Sequence, residues 1–107
     1  MKFIATKFKA EFHHGDCIGG DASAHDIVER LNVPIVIHPP TIQTYRAFRI
    51  GTVILTPKPY LDRNHDIVDA VDLLFVIPNG PERTRSGTWA TYRYAQRKGK
   101  QTLVLKP

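Results

Sequence analysis

The chain is short of the residues that staple a fold or span a bilayer. Its 107 residues include one cysteine, Cys17, one methionine and one tryptophan. A single thiol excludes an internal disulfide framework and fits a reducing compartment. No apolar run approaches the roughly 18–20 residues of a membrane span, and Met1-Lys2-Phe3-Ile4-Ala5 is too short for a secretory signal, so a cytoplasmic chain with no membrane partner is expected. There is no internal repeat and no low-complexity segment. Acidic side chains are the minority, 10 against 15 Lys and Arg, and the resulting net charge of +5 favours anionic partners. It does not choose between nucleotides and a nucleic-acid backbone, and it also serves solubility alone. The remainder, 42% hydrophobic and 23% charged, is ordinary globular composition. It suits one domain over residues 1–107, with residues 1–10 as a short leading segment.

Apolar spacing places the elements. Phe12-His13-His14 reads as a short strand, and Pro34-Ile35-Val36-Ile37-His38 as a buried one, stopped by Pro39-Pro40. Val53-Ile54-Leu55 is a further short strand, Asp72 to Ile77 a strand buried on both faces, and Thr102 to Leu105 the last. Between them, Asp21 is placed to cap a helix with Ala24, Ile27, Val28 and Leu31 on one face. Asp62 is placed to cap a second, with Ile67, Ala70, Val71 and Leu74 at helical spacing. A third follows Ser86 and closes on Arg97 and Lys98, cations that suit a C-terminal dipole. Strands alternating with helices of about ten residues predict an α/β fold: a three-layer α/β/α Rossmann-like arrangement around a mainly parallel sheet of four to five strands.

Ligands of such sheets sit at the carboxyl ends of the strands, where three polar loops fall: His14 to Gly20, His38 to Pro40, and Asn79 to Thr88. In the third, Ser86-Gly87-Thr88 opens a helix whose free amides suit a phosphate, with Arg83 and Arg85 upstream. The same three residues also make a plain helix start. Gly15-Asp16 is either a self-bonded turn or, with Gly19, Gly20 and Asp21, a close backbone approach to a ligand. Arg63 either meets a ligand or pairs with Asp62 or Asp66. His13, His14, Asp16, His25 and His38 are residue types that metals accept, but their spacing matches no established pattern. Adjacent His13 and His14 must also face opposite sides of a strand, and no metal or cofactor is expected. Cys17 lies beside a carboxylate that raises its pKa and reads as a packing residue. Trp89 and Tyr92 read as core or interface rather than base-stacking groups.

Together, His13-His14-Gly15-Asp16-Cys17-Ile18-Gly19-Gly20-Asp21 with Ala24-His25, then His38-Pro39-Pro40, Tyr60, Arg63-Asn64 with Ile67-Val68, and Arg85-Ser86-Gly87-Thr88 resemble the SLOG superfamily. That group holds the Rossmann-like domains of the DNA-processing protein A and of the Lonely Guy phosphoribohydrolases. The resemblance spans roughly residues 11–107 and is strongest to small bacterial and phage members with the same His-His-Gly-Asp and Arg-Ser-Gly-Thr-Trp segments. It implies a pocket for a nucleotide or nucleotide-derived ligand. Ser86, Gly87 and Thr88, with Arg85, would take the phosphate, and Gly15, Asp16, Gly20, Asp21 and His38 would line the other walls. Arg63 matches an arginine used beside the sugar in the phosphoribohydrolases, and Asn64 an asparagine of the DNA-processing branch. Two departures stand out. The catalytic glutamate that follows Gly-Thr in the phosphoribohydrolases is replaced by Trp89, Ala90 and Thr91, and the usual opening strand and glycine turn are missing.

The leading expectation is therefore a nucleotide-binding sensor or sequestering module. A second is a hydrolase or transferase acting at an N-glycosidic or phosphoester bond, with Asp16 or Glu82 as acid/base and Arg63 as charge stabiliser. A third is single-stranded nucleic-acid binding. An exposed sheet edge, with Phe3, Ile4 and Phe8 to cover it, also predicts a homo-oligomer.

Overall fold

The computed structural model describes residues 10–77 and 87–105. The elements run β1 (Phe12–His14), α1 (Gly20–Glu29), β2 (Ile35–Ile37), β3 (Val53–Ile54), α2 (Tyr60–Ala70), β4 (Leu73–Val76), α3 (Gly87–Arg97) and β5 (Gln101–Val104). Every strand pair is parallel, as the alternation of strands and helices requires. The strands do not join one ladder of four or five, however. They form a three-stranded sheet ordered β1-β2-β3 and a two-stranded sheet of β4 and β5. Among the described residues, no backbone hydrogen bonds link β1 to β4. A cavity described below is lined by residues of both strands.

β2 is buried at all three positions, and Ile35 and Ile37 form the main apolar cluster with Val28 of α1. Phe12 and Val33 pack against that cluster. β4 departs from the expected strand buried on both faces: only Val76 is fully buried, and Leu73 is exposed. A two-stranded sheet offers it little cover.

Both of the first two helices begin earlier than their expected caps. α1 starts at Gly20 with Gly19 as N-cap in a positive-φ conformation, and α2 starts behind Pro59. Asp21 and Asp62 lie instead in the first turns, where carboxylates favour the helix dipole. The buried faces are also rotated from expectation. α1 buries Ala22, His25 and Val28 while Ile27 and Leu31 are exposed. α2 buries Arg63, Ile67 and Val68 while Ala70 is exposed. In each case a polar side chain holds an inward position because a specific partner waits there. No helix among the described residues is long and apolar enough to cross a membrane.

Candidate functional site

Strand alternation sends His13 and His14 to opposite faces of β1, and each enters a hydrogen-bonded chain. On one side, the backbone N–H of Asp16 donates to His14 Nδ1 (2.9 Å), which fixes the His14 proton on Nε2. That N–H then donates to His25 Nδ1 (2.9 Å), and His25 Nε2 donates to Glu29 (3.1 Å). On the other side, His13 Nε2 donates to Glu11 (3.1 Å), leaving Nδ1 to accept from His38 Nε2 at 2.7 Å. Burial, and then the His13 ring, lower the His38 pKa to about 4. Burial likewise lowers the pKa of His14, against the raising effect of Asp21.

The loop after β1 is closed from within. Asp16 is fully buried at φ 58°, a left-handed conformation that aspartate tolerates better than most residues. Its carboxylate accepts from Arg46 Nε (2.8 Å) and from the Arg49 backbone N–H (2.9 Å). Its carbonyl accepts from Ala47 N (2.7 Å). Asp21 Oδ2 accepts the backbone N–H groups of Gly15 (3.1 Å) and Cys17 (3.2 Å), which staples the loop to the first turn of α1.

Arg63 reaches this loop from α2. Only 2% of it is exposed, and its Nη1 donates to the carbonyls of Gly15 and His38. Nη2 reaches Cys17 Sγ at 3.8 Å, and the Tyr60 ring covers the guanidinium at 4.6 Å. A Cβ at Gly15 would collide with that guanidinium, which is why glycine is needed there. Neither of the paired acids expected for Arg63 is used: Asp66 binds Lys58 at 2.6 Å. Arg63 makes no ion pair among the described residues, and its buried Nε has no hydrogen-bond partner. Among the described residues this buried cation is balanced by carbonyls, a thiol and a ring, an arrangement with a large desolvation cost.

Beside it lies a cavity of about 320 Å³, within the usual range of small-molecule sites. Its polar lining comes from His13, Gly15, Cys17, Gly20, Asp21, Arg63, Asn64, Thr88 and Thr91, and its apolar lining includes Ile67 and Leu74 to Ile77, in and just after β4. Asn64 Nδ2 donates to Thr91 Oγ1 (2.9 Å), which in turn donates to the Gly87 carbonyl (2.9 Å), tying α2 to the first turn of α3. Gly87 packs so closely on Tyr60 that a Cβ there would stand 2.8 Å from the ring. The N-termini of α1 and α3 thus contribute Gly20 and Thr88 to one cavity.

The expected residues therefore divide. Gly15, Gly20, Asp21, Arg63, Asn64 and Thr88 line the cavity, and Gly87 stands at its edge behind Tyr60. Asp16 does not line it, and His38 lines a separate cavity of about 250 Å³ with Lys58, Asp66 and the far side of Arg63. Arg83, Arg85, Ser86 and Glu82 lie outside the described residues, as do Phe3, Ile4 and Phe8. No group of three metal-ligating side chains forms among the described residues. Cys17 lines the cavity, but burial and then Asp21 push its thiol pKa up, away from nucleophilic character. Sequence reasoning missed the Arg46 and Arg49 contacts, the His14–His25 pair and the roles of Tyr60 and Thr91. Only the nearness of two arginines in residues 46–49 hinted at an acid to receive them.

No protein-family model matches the sequence, and no curated protein matches it either. A solved structure does share the fold. It is a protein from Syntrophus aciditrophicus with the provisional description of molybdenum carrier protein, and it superposes on 90% of this chain with a TM-score of 0.72. The fold is Rossmann-like. Sequence identity to that neighbour is 19%, and this chain spans 62% of its length, so the likeness concerns architecture alone. Within a Rossmann-like frame, the cavity occupies the place where ligands bind, beyond the carboxyl end of β1 and at the N-termini of α1 and α3.

Proposed function

We propose that this chain binds a small anionic molecule of nucleotide type in the cavity between β1 and β4. The observation that carries the reading is Arg63, a buried guanidinium with no acidic partner among the described residues and an unsatisfied Nε. An anion supplied from solution completes its charge and its hydrogen bonding, at about 1.5–3 kcal/mol for each charged hydrogen bond. The two helix N-termini add favourable dipoles on the same side. The apolar wall of Ile67 and β4 suits a ring system attached to that anion, and SLOG resemblance points to the same ligand class.

Binding without turnover fits the chemistry better than hydrolysis does. The Asp16 carboxylate is consumed by Arg46 and Arg49, and Asp21 by two backbone amides. The phosphoribohydrolase glutamate is absent at positions 89–91. A tetrahedral oxyanion such as molybdate is the second reading, favoured by Arg63 and by the description of the structural neighbour. Such an ion would leave the apolar wall unused.

Titration calorimetry with mono-, di- and cyclic nucleotides, phosphate and molybdate separates these readings. A nucleotide is expected to bind more tightly than either inorganic ion. Arg63→Gln should weaken it 10- to 100-fold, and Thr88→Val, which leaves the Arg63 contacts intact, about 10-fold. No binding of any of these at millimolar concentration would refute the proposal. Release of free base or phosphate during the titration would replace it with an enzymatic one.

A further inference from the structure

α2 turns one stripe toward the cavity, and that stripe carries more chemistry than holding an anion uses. Tyr60, Arg63, Asn64 and Ile67 recur at i, i+3, i+4 and i+7, and all of them line the cavity. Arg63 supplies the charge, Tyr60 covers its guanidinium, and Ile67 is apolar. Asn64 adds a carboxamide whose orientation is fixed by its neighbours. The Thr91 hydroxyl has one hydrogen, which it donates to the Gly87 carbonyl one turn back at 2.9 Å. Thr91 Oγ1 can then only accept from Asn64, so the amide must turn Nδ2 toward it, at 2.9 Å, and not Oδ1. The second Nδ2 hydrogen and Oδ1 have no protein partner among the described residues. Arg63 Nε is the one buried side-chain polar atom left without a partner there, so Asn64 Oδ1 is open to solvent.

Resting on the nucleotide-type ligand proposed above, we infer that Asn64 reads the polar edge of the ligand's ring and that Thr91 is the residue that positions it. Ile67 is a helical neighbour of Asn64, so a ring laid against Ile67 brings its edge within reach of the amide. A carboxamide presents an acceptor beside a donor and pairs with a ring edge that offers a donor beside an acceptor, as nucleobases do. Because Thr91 decides which end of the amide is nitrogen, the order along that edge matters. Adenine offers an amino donor beside a ring-nitrogen acceptor, whereas hypoxanthine offers a carbonyl acceptor beside an N–H donor. A locked amide matches one order and meets the other donor to donor and acceptor to acceptor, which leaves polar groups unpaired. A sugar hydroxyl rotates to donate or accept and would make no use of a fixed amide.

Calorimetry of the intact chain with the 5′-monophosphates of adenosine, inosine and unsubstituted purine riboside, and with ribose 5-phosphate, tests this. Adenosine and inosine monophosphates should differ by about tenfold or more, and the purine riboside, which has no donor on its ring, should bind no better than the weaker of them. Asn64→Ala should bring the ring-bearing ligands to within about twofold of one another while ribose 5-phosphate binds as before. Thr91→Val frees the amide to turn and should shrink the adenosine-to-inosine ratio by about threefold or more, and Thr91→Ser should restore it. A purely structural role for Thr91 would instead weaken every ligand alike, and that result would overturn the inference. Without any ligand, one Asn64 side-chain amide proton should move upfield in the NMR spectrum of Thr91→Val, and an unmoved proton would count equally against the lock. Equal affinity for adenosine and inosine monophosphates, both tighter than ribose 5-phosphate, would sink the role of Asn64 and leave the nucleotide reading standing. Absence of binding by every nucleotide would remove both.

Discussion

At the scale of single residues, three buried polar groups set the behaviour of this chain. His38 is held neutral by burial and then by His13, with its pKa lowered to about 4, and His14 is shifted in the same direction. An unfolded histidine titrates near 6.5. Between about pH 6.5 and 4 the unfolded chain therefore binds more protons than the folded one, and stability rises with pH across that window. His38 faces His13, Asp66, Arg63 and His14, and His14 faces Asp21, His25, Asp16 and Arg63, so both cations and acids act on the pair. Urea denaturation at pH 7 and pH 4.5 should differ by about 3 kcal/mol, with the protein less stable in acid. The third group is Asp16. Asp16→Asn keeps the shape but removes the charge that balances Arg46, itself largely buried. The variant should lose about 3 kcal/mol of stability while its folded fraction still binds the ligand, as calorimetry below its melting temperature would record. A loss of binding with stability unchanged would return Asp16 to the site.

At the scale of elements, helices and strands were largely legible because their apolar periods and their punctuation are local. Pro39-Pro40 ends β2, Gly99 follows α3, and the stretch from Leu73 to Val76 has the branched and aromatic character of a strand. What periodicity could not give was the rotation of α1 and α2. A scan for apolar residues counts Ile27 and Leu31 as core and His25 and Arg63 as surface, and the structure reverses all four. The reason is that hydrogen-bond partners from other elements outweigh the burial of one aliphatic side chain. His25 receives the proton of His14, so His25→Leu fills the space but strands the His14 Nε2–H in an apolar setting. We expect a cost of 1–3 kcal/mol in chemical denaturation, although leucine is the more hydrophobic residue. Equal or greater stability would mean that the imidazole pair contributes nothing to the docking of α1.

At the scale of the whole molecule, the division of the strands into two sheets leaves the cavity between β1 and β4 as the place where a guest does most for stability. A ligand present at 100 times its dissociation constant adds about 2.7 kcal/mol, or about 10 °C in melting temperature for a domain of this size. Because Leu74 to Ile77 line the cavity, amide exchange in β4 should slow on binding more than exchange in β2, which is already buried at all positions. Exchange that slows uniformly, or only at the N-terminus of α1, would place the guest elsewhere.

The amino-acid order alone determined that strands and helices alternate, that the strands run parallel, and that glycine-rich polar turns gather at one end of them. These follow from period, turn chemistry and crossover geometry, all readable within a few residues. Tertiary structure alone decided that, among the described residues, the strands split three and two, Asp16 serves Arg46 and Arg49, and Arg63 is buried without an acid. Those outcomes depend on which polar groups meet across separations of 30 to 48 residues, and no local pattern encodes the charge balance of a site assembled from such distant parts.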